Sequence, residues 1–200
     1  MTSGQPQLWL LAGGNGAGKS TFYRTRLKQH DVEFVNADLI ERGFEPGSVD
    51  ISSYAAATLA RERYRAHLER KLSFCYETVF SHRSKLEMLA DAKHAGYDVT
   101  LVFIHLIDPT LNQLRVQQRV TEGGHSVPSE KIATLIPRTL GLMCEAVELV
   151  DTAWLLDNSN RDDPFRMIAT KGKNGFTAYV DPLPTWASKI IFSGNPFRHT

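Results

Sequence analysis

A chain of 200 residues, 42% hydrophobic and 22% charged, carries enough apolar side chain for one sizeable core and fits a single domain over residues 1–200. Its 23 basic and 22 acidic residues nearly cancel, which argues against nucleic acid or an anionic membrane as partner and leaves any polyanion site to be local. Met1–Gln7 lacks a signal-peptide pattern, no apolar run approaches the ~20 residues of a bilayer span, and Cys75 and Cys144 stand at no metal or redox spacing, so a reducing cytoplasm is the expected compartment.

In chain order, Leu8–Ala12 reads as a buried strand that runs into Gly13-Gly14-Asn15-Gly16-Ala17-Gly18-Lys19-Ser20, followed by Thr21. The stretch satisfies G-x-x-x-x-G-K-[ST] between a strand and a helix start. There, glycines let successive N–H groups converge on phosphate oxygens, Lys19 reaches the β- and γ-phosphates, and the Ser20 hydroxyl is offered to magnesium. Gly13 through Thr21 are therefore assigned to a nucleoside triphosphate. Glu33–Ala37 is the second apolar run, closed by Asp38. Val49–Leu72 contains no Pro or Gly and is rich in Ala and Arg, so a long exposed helix is expected with Asp50 as its cap. Phe74–Glu77 is the third run, followed by Thr78. Ser84–His94 reads as a helix stopped by Gly96, and Val99–Leu106 as the fourth strand. Asp108-Pro109 opens a helix that ends before Gly123-Gly124, and Val127-Pro128-Ser129 opens the next. Ala153–Leu156 is the fifth run, and a hairpin is expected from Phe165–Thr170 and Phe176–Val180 across Lys171-Gly172-Lys173-Asn174-Gly175. The alternation predicts an α/β fold: a P-loop NTPase-type parallel sheet of about five strands with helices on both faces, residues 8–160 as its core and the hairpin extending it over 161–200.

Ligands of an open α/β sheet lie beyond the carboxyl ends of its strands, where Asp38 and Glu77 close apolar runs. A carboxylate beside the γ-phosphate can take the proton of an acceptor alcohol, and a second can hold magnesium through water or grip substrate hydroxyls. Asp38 is given the base role, with capping of a helix over Leu39–Arg42 as the alternative, and Glu77 the substrate or metal role. Arg115, Arg119 and Arg138 bracket Val120–Pro128, whose Gly123-Gly124-His125 centre reads as the hinge of a basic lid. Guanidinium groups there would meet the charge of a transferring phosphoryl group; a solvated helical face is the alternative. His125 has no second His or Cys at ligand spacing and reads as a loop or phosphate contact. The candidate catalytic set is Lys19, Asp38, Arg119 and Arg138. An acceptor bearing a pyrophosphate needs cations of its own, for which Arg83 and Lys85 are nearest, unless they only open a helix.

Taken together, Gly13–Thr21, Asn36-Ala37-Asp38, Glu77-Thr78-Val79-Phe80-Ser81, the segment Arg115–Pro128 and Asp157-Asn158-Ser159 resemble the zeta-toxin family of small bacterial P-loop kinases in its compact form. The resemblance covers about residues 8–160; its Walker loop is shared by many NTPases, whereas the Glu77-Thr78 and Gly123–Pro128 elements are more specific. It implies magnesium- and ATP- or GTP-dependent phosphorylation of a UDP-N-acetyl amino sugar such as UDP-N-acetylglucosamine. It also implies Asp38 as base, Glu77 with Thr78 at the substrate, arginines after the fourth strand closing on the phosphates, and a small antitoxin that blocks nucleotide entry. Leu135-Ile136 stand where the family pattern has an Arg-Tyr pair, which leaves Arg138, about one helical turn further on, as the substitute. Two other readings stay open: a P-loop kinase of another small acceptor, such as a nucleoside or an antibiotic, and a nucleotide-binding switch or interaction protein without catalysis. The absence of an aromatic-basic cluster weighs against a polynucleotide acceptor, and the presence of both Asp38 and Glu77 weighs against a switch.

Overall fold

The computed structural model describes residues 4–41, 43, 52–121 and 128–193. Its first strand, β1 (Gln7–Ala12), turns Leu8, Leu10 and Ala12 to one face and Trp9 and Leu11 to the other. Both sets are apolar, the pattern of a strand covered on both sides. It is joined by β2 (Glu33–Val35), β3 (Phe74–Thr78), β4 (Asp98–His105), β5 (Thr152–Asp157), β6 (Arg166–Gly172) and β7 (Gly175–Ala178), in the order β2-β3-β1-β4-β5-β6-β7. The strands β1 to β5 pair in parallel, as the alternation of runs predicts. The expected hairpin forms and lengthens the same sheet, because β6 pairs antiparallel with β5. Its turn is tighter than the sequence suggests: Gly172 pairs with Gly175, so Lys173-Asn174 alone bridge the strands.

The helices are α1 (Lys19–Phe22), continued by a π-helical turn Tyr23–Leu27 and a 3₁₀ turn Lys28–His30, then α2 (Ala37–Glu41), α3 (Ser53–Arg70), α4 (Ser84–His94), α5 (Pro109–Thr121), α6 (Ser129–Leu149) and α7 (Thr185–Phe192). On one sheet face, Tyr64 of α3, Leu89 of α4, Met143 and Ala146 of α6 and Ile190 of α7 pack over Leu10, Phe74, Leu101 and Leu155. The other face is covered by Phe22 and Leu27 with the aromatic side chains of Trp9, Phe34, Trp154 and Phe165. Helix α7 has no counterpart in the sequence reading. It buries Trp186 and Ile190, each worth roughly 1.5–3 kcal/mol when removed from water, and so closes the first of these faces, that of Leu10 and Leu101, over Phe103.

Where the observed boundaries differ from the expected ones, side-chain capping is the reason. Helix α3 starts at Ser53, with the Ser52 hydroxyl accepting from Ala55 N at 3.3 Å, so Ser52 rather than Asp50 is its cap; residues 49–51 lie outside those described. Its Ala56, Ala60, Tyr64 and His67 are buried at helical spacing, which makes it a packed helix rather than an exposed one. The second strand stops at Val35 because Asn36 turns the chain into α2: its Oδ1 accepts from Asp38 N at 2.7 Å and Leu39 N at 3.3 Å. Asp38 thus sits in the first turn of α2, and capping belongs to Asn36. Among the described residues, no helix is long and apolar enough to cross a membrane.

Candidate active site

Beyond the carboxyl ends of the parallel strands lies a cleft of about 970 Å³, at the upper end of the range of small-ligand pockets. Its floor is the loop between β1 and α1. Gly16 has φ +77°, and a Cβ there would stand 2.6 Å from the carbonyl oxygen of Asn112; Gly18 has φ +102°, with a Cβ 2.5 Å from Asn158 Nδ2. Glycine is thus required both by the turn and by the neighbours pressing on it. Lys19 is buried and donates to Gly13 O at 3.0 Å and Gly14 O at 3.1 Å. Asn15, Gly16, Gly18, Lys19, Ser20 and Thr21 line the cleft, whereas Ala17 is buried in the core beneath.

Glu77, at the end of β3, gathers the polar groups of this floor. Its Oε2 accepts from Ser20 Oγ at 2.7 Å and from Asn36 Nδ2 at 2.8 Å, and its Oε1 lies 3.7 Å from Lys19 Nζ. A hydroxyl beside a carboxylate is a hard oxygen donor set, and it suits magnesium, which takes one or two protein ligands and leaves its other positions to phosphate and water. Across the cleft, Arg119 Nη1 of α5 stands 3.6 Å from Asp38 Oδ2 of α2. Both side chains are a third or more exposed (33% and 50%), so the pair contributes at most ~1 kcal/mol, and its significance is placement.

The strand order puts β3 and β5 on opposite sides of β1, and the two walls of the cleft differ accordingly. From the β5–β6 side come Asn158, Asn160, Arg161, Pro164 and Phe165, the last packed edge-on to Phe22 at 5.3 Å. Arg115 reaches this wall from α5 and donates to Asn158 O at 2.9 Å; burial, and then Arg161, pull its pKa below the usual guanidinium value. The opposite wall holds Leu39, Ala57, Tyr76, Thr78, His82 and Lys85. Thr78 Oγ1 accepts from Phe80 N at 3.1 Å, and Thr139 Oγ1 of α6 donates to Val79 O at 3.0 Å, fixing the turn after β3. Lys85 Nζ lies 5.4 Å from the Tyr76 ring centroid and 3.5 Å from Met88 Sδ, and burial, then Arg61, lower its pKa.

Of the residues singled out in the sequence, Lys19, Ser20, Asp38, Glu77, Thr78, Arg115 and Arg119 come together at this cleft. Arg83 and Arg138 do not. Arg83 makes a two-pronged pair with Glu145 of α6, at 3.0 Å and 3.0 Å, and points outward because it precedes α4, while Lys85, two positions on, turns to the cleft. Arg138 lies on the exposed side of α6, since Ile136 and Thr139 take the inward positions. The proposed hinge Gly123-Gly124-His125 lies outside the described residues. Sequence reasoning gave no role to Asn112 or Arg161, or to the amides of Asn36 and Asn158. A signal existed for Asn112, which shares a helical stripe with Val116 and is buried there.

A Walker loop between a strand and a helix of a parallel sheet, with a basic helix and acids around one cleft, defines a P-loop nucleotide-binding fold. Residues 1–145 match the family described as Zeta toxin, and the chain belongs to that family. An uncharacterised protein from Haemophilus influenzae is 26% identical over 132 residues, covering 62% of this chain and 93% of that protein. Among solved structures, a chain of the AvrRxo1-ORF1:AvrRxo1-ORF2 complex with sulphate ions superposes with a TM-score of 0.70 at 19% identity, over 88% of this chain and 62% of that one. A chain from the PezAT chromosomal toxin-antitoxin system of Streptococcus pneumoniae superposes with a TM-score of 0.64 at 17% identity, over 96% of this chain and 80% of that one. The protein therefore spans about three-fifths of the AvrRxo1 chain, at 62%, and at these identities the structural likeness speaks for the fold alone.

Proposed function

We propose that the protein moves the γ-phosphoryl group of ATP or GTP, with magnesium, to a hydroxyl of a small molecule, and that the acceptor is a UDP-N-acetyl amino sugar such as UDP-N-acetylglucosamine. The observation that carries this reading is the convergence in one cleft of Lys19, Ser20 and Glu77 at the loop with Asp38 facing Arg119 at 3.6 Å. A further structure of the AvrRxo1 complex contains ATP, which supports a nucleotide in this fold.

The loop N–H groups and Lys19 hold the phosphates, and Ser20 with Glu77 would hold magnesium, which would supply positive charge against the phosphate oxygens. Asp38 takes the proton of the acceptor hydroxyl as its oxygen bonds to the γ-phosphorus. The bond from that phosphorus to the β–γ bridging oxygen breaks, and its electron pair leaves with the nucleoside diphosphate. Arg119 and Arg115 approach the phosphoryl oxygens, where charge spreads in the transition state. Thr78 belongs to the acceptor side with Lys85, which replaces Arg83 as the cation for a pyrophosphate on the acceptor. A small antitoxin is the proposed protein partner, supported by the toxin-antitoxin system from which the Streptococcus neighbour comes, and the cytoplasm is the proposed compartment.

Incubation with ATP or GTP, magnesium and a panel of UDP-sugars, read by mass spectrometry, tests the reading. A phosphorylated UDP-N-acetyl amino sugar supports it. Phosphorylation of only an unrelated alcohol removes the sugar assignment, and nucleotide binding without transfer to any acceptor leaves the switch.

A further inference from the structure

Three side chains outside the acid–lysine cluster link the nucleotide loop to its surroundings and close a ring. Asn112 of α5 is 2% exposed and donates from Nδ2 to Asn15 O at 2.7 Å. Asn158 donates from Nδ2 to Ala17 O at 2.8 Å. Arg115, one turn beyond Asn112, donates to Asn158 O at 2.9 Å, so the path runs from α5 through the loop to the end of β5 and back to α5. One further turn along the same helix, Arg119 faces Asp38 at 3.6 Å.

Asn112 is a poor choice for packing. It lies one turn before Val116, which packs with Ile132 and Ile136, and its Oδ1 is buried without a hydrogen-bond donor among the described residues. An apolar side chain there would avoid the desolvation of that oxygen, which costs about 1–3 kcal/mol. What an apolar side chain cannot supply is the bond to Asn15. Seven residues of helix span about 10 Å, so a tilt of about 6° at Asn112 displaces Arg119 by about 1 Å. A displacement of that size near reacting groups can cost on the order of 10²-fold in rate.

We propose that Asn112 is a positioning residue for phosphoryl transfer, keying α5 to the nucleotide loop so that Arg115 and Arg119 stay in register with the phosphates. The inference rests on the kinase reading above. Its test is Asn112→Ala, with Asn112→Ser as a milder variant should the first fail to fold, each measured for nucleotide affinity, turnover and melting temperature, alone and combined with Arg119→Ala. Turnover is expected to fall roughly 10- to 100-fold with nucleotide affinity within about threefold, and Arg119→Ala should add little in the Asn112→Ala background. Hydrogen exchange gives a readout independent of transfer: an ATP analogue with magnesium should slow exchange at residues 115–121 in the wild type, and much less in the variant with nucleotide still bound. Equal slowing in both, or full multiplication of the two mutational effects, overturns the inference alone. A wild type that binds no nucleotide overturns the kinase reading, and this inference with it.

Discussion

The Ser20 hydroxyl donates to Glu77 at 2.7 Å across 57 residues of sequence, and this bond ties the nucleotide loop to the end of β3. Parallel pairing makes it possible: Ala12 lies opposite Thr78 and Leu11 opposite Glu77, so the loop leaving β1 must pass the carboxylate. Glu77→Gln keeps the shape and the acceptor oxygen but removes the charge. It should raise the magnesium concentration needed for half-maximal turnover by about tenfold or more, while fold and melting temperature hold. Unchanged magnesium dependence would leave Glu77 as a substrate contact only.

Lys85 and Arg83 make opposite predictions although two positions apart. Lys85→Met should raise KM for a pyrophosphate-bearing acceptor by roughly 10-fold or more, with nucleotide KM nearly unchanged, because loss of a charge-assisted contact costs about 1.5–3 kcal/mol. Arg83→Ala removes an exposed pair with Glu145 and should leave both KM values within about twofold. Initial rates at varied acceptor and varied nucleotide separate the two.

For the arginines, Arg119→Ala should lower kcat by about 10²-fold or more and nucleotide affinity much less, since the guanidinium counts most against transition-state charge. Arg138→Ala, on the exposed side of α6, should be silent in both. A large loss in Arg138→Ala would mean that α6 rotates toward the cleft when nucleotide binds.

Much of the site was legible because its chemistry restricts the residues. A loop pressed this closely against Asn112 of α5 and against Asn158 accepts only glycine at positions such as 16 and 18, and a helix entered through Asp108-Pro109 announces its own start. What stayed hidden depends on long-range packing. No local feature tells β6 to add to β5, and Arg83 and Lys85 are told apart only by where α4 begins and how it lies on the sheet. Asp38 closes an apolar run in the sequence and so resembles a strand end, whereas Asn36, two residues earlier, already caps α2. Lone amides such as Asn112 leave a weak trace, a polar residue on an apolar stripe.

His105 ends β4 with its ring against Trp186 at 4.8 Å and Phe103 at 5.8 Å, and burial lowers its pKa to about 4 against the opposing pull of Asp157. In the unfolded chain the value returns to about 6.5. Between these limits the unfolded chain holds a proton that the folded one does not, so stability rises with pH from about 4 to about 6.5. It is lost by up to about 3 kcal/mol as acid is added through that window. His105→Gln should flatten this part of the curve, measured as urea midpoints from pH 7 to pH 4; equal slopes in wild type and variant would show that His105 is not kept neutral.

Asp38 is proposed to serve transfer rather than folding. Because Asn36 caps α2, Asp38→Asn should keep the melting temperature and nucleotide binding of the wild type. The decisive measurement is the rate of γ-phosphoryl transfer to the acceptor in wild type, Asp38→Asn and Lys19→Ala. This role predicts transfer in the wild type, a fall of about 10²–10⁴ in Asp38→Asn with binding intact, and none detectable in Lys19→Ala. Wild-type rates in Asp38→Asn, or turnover unchanged in Lys19→Ala, would contradict it.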